Sequence, residues 1–65
     1  MNDTDYLCGL LLDRIKHLNK MQRFYRSQPG EYEGVMSSER ILLCEKEVLR
    51  CERLLEQLQG VRQAA

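Results

Sequence analysis

This 65-residue sequence carries no net charge, no apolar run of membrane-spanning length, no C-x-x-C cysteine spacing and no phosphate-loop glycine pattern. Each absence removes a class of function. With 10 basic and 10 acidic side chains in balance, no overall field draws the chain to nucleic acid or to an anionic membrane. Any such binding has to be local. A membrane-crossing helix needs roughly 20 predominantly apolar residues, and the first apolar stretch is broken by Asp13 and Arg14. Met1-Asn2-Asp3-Thr4-Asp5 is acidic where a secretory signal would be basic. Three cysteines cannot all pair within one chain, so neither a disulfide framework nor a zinc site is expected. The expectation is a soluble protein of a reducing compartment, the cytoplasm, with no cofactor and no metal.

Catalytic constellations are scarce as well. His17 is the single histidine, and no serine or cysteine stands near it at helical spacing, so an interface role fits it better than catalysis. Cys44 and Cys51 are two helical turns apart, about 10.5 Å, too far to share a metal or form a disulfide within one chain. Small buried seam residues are the expected role for Cys8, Cys44 and Cys51. Nothing in the sequence points to an enzyme.

What the sequence does contain is helical periodicity. Ile41, Cys44, Val48, Cys51, Leu55 and Leu58 recur at alternating threes and fours, the spacing of a coiled-coil seam. Upstream, Cys8, Leu11, Ile15, Leu18, Gln22 and Tyr25 repeat the pattern. Asn2, Asp3 or Thr4 can cap the first helix, and no proline interrupts it before Pro29. A single domain over 1–65 is expected, with helix 1 over about 4–27, a loop over 28–36 and helix 2 over about 38–61. A short helical turn within the loop, at Val35 and Met36 ahead of helix 2, fits the residues there. Ser37 and Ser38 are the capping candidates for helix 2, Gly60 its stop, and Arg62-Gln63-Ala64-Ala65 a frayed tail. Gly9 lies inside helix 1, where glycine costs about 0.8–1.0 kcal/mol against alanine, and this predicts compensating packing or a close backbone approach. The fold class is all-α, an antiparallel αα-hairpin. Antiparallel packing is expected to set the basic end of helix 1 beside Glu39 and the loop glutamates.

Each helix has more apolar surface than one partner covers. Tyr6, Leu10, His17, Met21 and Phe24 flank the first seam and widen its apolar sector to about half the circumference. Leu43, Leu54 and Val61 flank the second seam on one side, Leu42 and Leu49 on the other. Domains of this size bury only about 60% of the surface their unfolded chains expose, so association is the expected source of extra stability. Homodimerisation into a four-helix bundle follows, with Tyr6, Leu10, His17, Met21, Phe24, Leu43 and Leu54 as the dimer or partner face.

Arg14, Lys16, Lys20, Arg23 and Arg26 make the second half of helix 1 basic. Lys16, Lys20, Arg23 and Arg26 are the candidate nucleic-acid patch, weighed against a solvated face that matches the helix dipole. By length and topology the expected architecture looks like that of small plasmid copy-number regulators, which dimerise as four-helix bundles and bind paired RNA hairpins. In size it is similar to small regulatory or inhibitory proteins of phages and mobile elements. The reading of the residues favours a non-enzymatic regulator or inhibitor that self-associates and binds a protein partner through helix faces. A nucleic-acid binder is the alternative, and a structural or assembly-chaperone subunit a further one.

Overall fold

A computed structural model describes residues 3–64, with side chains through residue 60. Two helices, α1 (Asp3–Ser27) and α2 (Ser37–Ala64), are joined by a two-stranded antiparallel ribbon, β1 (Glu31–Tyr32) and β2 (Val35–Met36). The helices fold back on one another, with Arg26 late in α1 meeting Glu45 early in α2 and Leu18 packing among Cys44 and Cys51. The result is a helical hairpin measuring 47 × 18 × 17 Å. No helix is long and apolar enough to cross a membrane among the described residues.

The seam is made by the two repeats. Cys8, Leu18, Gln22 and Tyr25 of α1 are buried, with Leu11 and Ile15 half-buried between them. Cys44, Cys51 and Leu55 of α2 are buried, with Ile41, Val48 and Leu58 half-buried. Leu18 and Cys51, each 3% exposed, are the deepest of these, and Leu11, Ile15, Met21 and Val48 pack around them. A stripe one residue wide on each helix is all that two cylinders can hide from water.

The connection differs from the expected loop with a helical turn. Pro29 disfavours helical geometry at Gln28 and ends α1 there. The chain then forms a ribbon in which Glu31 pairs with Met36 and Tyr32 with Val35. Glu33 and Gly34 close it with φ of 53° and 82°, positive at both central positions as in the I′ turns that suit a two-residue hairpin. Val35 and Met36 are therefore extended, because ladder hydrogen bonds across this turn satisfy their backbone better than one isolated helical turn would. Tyr32 lays its ring against Phe24 and Tyr25, with centroids 5.7 and 5.2 Å away, and its hydroxyl donates to the Gln28 carbonyl. The ribbon is thus pinned to the end of α1.

Helix boundaries move outward from those expected. α1 begins at Asp3 and α2 at Ser37, and α2 runs through Gly60 to Ala64. Gly60 does not adopt a positive φ, so it stays a helical residue rather than a stop. Gly9 sits in the open, with nothing within 4 Å of where a Cβ would project. The close approach expected there is absent. Asn2 as a cap, the Val61 side chain and the end of the tail at Ala65 lie outside the described residues.

Candidate functional site

An α-helix advances about 100° per residue, so the side chains flanking each seam fall on two sides of the helix pair. On one side Met21 and His17 of α1 face Leu43 and Glu47 of α2 across an open groove of about 500 Å³. Leu18, Tyr25 and Cys44 from the seam form the apolar floor, and Arg14 and Arg40 stand at its edges. A smaller hollow of about 270 Å³ adjoins it, where Lys20 and Phe24 join His17, Met21 and Tyr25. Four of the residues expected on the partner face, His17, Met21, Phe24 and Leu43, are therefore brought to one place. Tyr6, Leu10 and Leu54, the other three, do not line the groove and are exposed.

Arg40 is held by three neighbours. Its Nη2 donates to the Tyr32 carbonyl, its guanidinium lies 5.8 Å from the centre of the Tyr25 ring, and Nη2 stands 4.0 Å from the Glu33 carboxylate. Cation–π contact and a charge-assisted bond together fix the side chain. Sequence reasoning passed over Arg40, which adjoins the seam residue Ile41. Its helical phase places it on the groove side, but its anchor, the Tyr32 carbonyl, exists only because residues 31–36 form a ribbon.

Of the candidate nucleic-acid patch, Lys16, Lys20 and Arg23 are spaced i, i+4 and i+7 and share one face of α1. Lys16, Arg23 and Arg26 line a shallow polar depression with Asn19 and Gln22, and Lys20 lines the hollow beside His17, Met21 and Phe24. Arg26 is also bonded to Glu45 at 2.9 Å. The expected pairing of the basic end of α1 with Glu39 and the loop glutamates gives way to this one. Glu45 lies six residues beyond Glu39 and looks across the seam at Arg26, while Glu33 turns toward Arg40.

Cys8, Cys44 and Cys51 are buried free thiols. No group of three or more histidine, cysteine, aspartate or glutamate side chains converges on a point where a metal ion would fit among the described residues. The groove combines an apolar floor with Arg14, Arg40 and Glu47, and a hollow of about 400 Å³ on α2 sets Lys46, Arg50 and Arg53 beside Leu49 and Leu54. No family model matches this chain, and no curated protein or solved structure shows significant similarity to it.

Proposed function

We propose that this chain is a small non-enzymatic regulatory protein that self-associates and acts by binding a protein partner through its helix faces. One observation carries the reading. After the two helices have packed, Tyr6, Leu7, Leu10, Leu12 and Phe24 of α1 and Leu42, Leu43, Leu49 and Leu54 of α2 remain 41–60% exposed. Isolated exposed leucines are ordinary on protein surfaces, but nine large apolar side chains on two helices of one hairpin are more than scattered exposure and suit a surface that is covered.

The core supports the same reading from the side of stability. Among the described residues six hydrophobic side chains are buried, Cys8, Leu18, Tyr25, Cys44, Cys51 and Leu55, and three of them are cysteines with little apolar area. A seam of this size gives at most a few kcal/mol, and association adds the rest. Pairing of two hairpins into a four-helix bundle, in the cytoplasm where the thiols stay reduced, is the arrangement this surface suits. Tyr6, Leu10 and Leu54, which lie outside the groove, are the residues a second copy covers.

Sedimentation equilibrium at micromolar concentration, with thermal melts over a hundredfold concentration range, tests the proposal. The expected result is a dimer whose melting temperature rises with concentration, and a Leu10→Glu/Leu54→Glu double variant that stays helical but shifts to monomer. A wild-type monomer that melts at one temperature at every concentration would remove self-association from the reading.

A further inference from the structure

We infer that the groove at the ribbon end of the hairpin receives an acidic amphipathic helix of a partner protein. This rests on the protein-binding reading above and adds the chemistry of the partner.

Shape supplies the first argument. From Arg14 to Tyr25 the wall given by α1 spans about 16 Å at 1.5 Å per residue, three helical turns. The floor is apolar, and the opposite wall is another helix. Grooves of this form bind the apolar stripe of a helix of similar length through anchors at i, i+3, i+4 and i+7.

Charge supplies the second. The chain as a whole is neutral, yet the groove and its adjoining hollow hold Arg14, Lys20 and Arg40 against the single acid Glu47. Arg14 and Lys20 have no ion-pair partner among the described residues, and the nearest carboxylate to Arg40, that of Glu33, is 94% exposed at 4.0 Å. Glu45 is on the far side of the helix pair, occupied with Arg26. The groove edges are therefore cationic by local placement, and carboxylates flanking an apolar stripe complement them.

Preorganisation supplies the third. Arg40 is already fixed by the Tyr32 carbonyl and the Tyr25 ring, so a carboxylate meeting it orders little that was free.

The test is a selection on the full chain from helical peptides of about 14 residues, with a fixed leucine stripe and flanking positions randomised among Glu, Gln and Lys. Enriched peptides are then titrated by fluorescence anisotropy against the wild type and against Arg14→Glu and Leu43→Asp, with helicity checked by circular dichroism. Both substituted residues are exposed, so the fold is expected to survive. The expected result is enrichment of Glu at the flanks, roughly tenfold weaker binding to Arg14→Glu and loss of binding to Leu43→Asp. Peptides without a Glu excess that still lose binding to Leu43→Asp would overturn the acidic partner while leaving the groove a protein-binding surface. Failure to enrich any peptide would overturn both. A salt-sensitive shift of a hairpin RNA, abolished by Arg14→Glu, would reassign the groove to nucleic acid and overturn the inference.

Discussion

Ser37 is bonded twice to Gly30: its N–H donates to the Gly30 carbonyl at 2.7 Å, and its hydroxyl oxygen accepts the Gly30 N–H at 3.1 Å. The pair continues the ribbon register of Glu31 with Met36 and Tyr32 with Val35 by one step. As the first residue of α2, Ser37 has a carbonyl committed to the helix, so its side chain supplies the acceptor that a strand residue would offer from its backbone. Replacing Ser37 by alanine leaves the Gly30 N–H without that partner. The expected loss is about 1–2 kcal/mol, read as a lower urea midpoint at fixed protein concentration with unchanged slope. An unchanged midpoint would show that the hydroxyl contributes nothing to closing the loop.

Gly9→Ala should stabilise the protein. The residue is exposed inside α1 with no atom near the position of the added Cβ, so the helix gains alanine's propensity at no steric cost. The gain expected is about 0.8–1.0 kcal/mol, or roughly 4–8 °C in melting temperature for a domain of this size. Differential scanning calorimetry measures it, and a lower melting temperature would mean that another molecule packs against Gly9 in solution.

Leu18→Asp and Leu55→Asp should unfold the hairpin, and Val48→Asp should weaken it severely. Leu18 is 3% and Leu55 8% exposed, and an unpaired carboxylate buried there costs several kcal/mol, comparable with the whole stability. Leu49→Asp is the control, since Leu49 is 53% exposed. Circular dichroism melts separate the two sets. Equal melting curves for seam and control variants would contradict the seam.

Reversing Lys16, Lys20 and Arg23 to glutamate should leave helicity intact, because all three are exposed. In gel-shift titrations with duplex RNA, hairpin RNA and DNA at physiological salt, neither wild type nor variant is expected to shift. Arg26 is paired with Glu45 and the chain as a whole is neutral, so Lys16, Lys20 and Arg23 make only a small local patch. A wild-type shift with a log–log salt slope near −0.7 to −0.9 per phosphate, lost in the variant, would favour a nucleic-acid binder instead.

The two seams could be read from the chain because their information is local. Alternating threes and fours put Leu18 and Cys51 on one face of their own helices whatever the partner, and burying both stripes leaves only the hairpin. The sequence also determined that apolar residues would be left over, since Leu42, Leu43 and Leu49 point away from any single seam. The ribbon was not legible. Glu33-Gly34 lacks the Asn-Gly or Asp-Gly signature of a I′ turn, and strands of two residues show no periodicity. Pairing across residues 31–36 was decided by tertiary packing of Tyr32 on Phe24 and Tyr25, a contact between residues on separate elements. The same contact places the Tyr32 carbonyl where Arg40 reaches it and so fixes one cationic edge of the groove. Which of the left-over apolar residues share a groove, and which charges edge it, depends on how α1 and α2 are rotated about their own axes. Helical period leaves that rotation open, and side-chain packing between the two helices sets it.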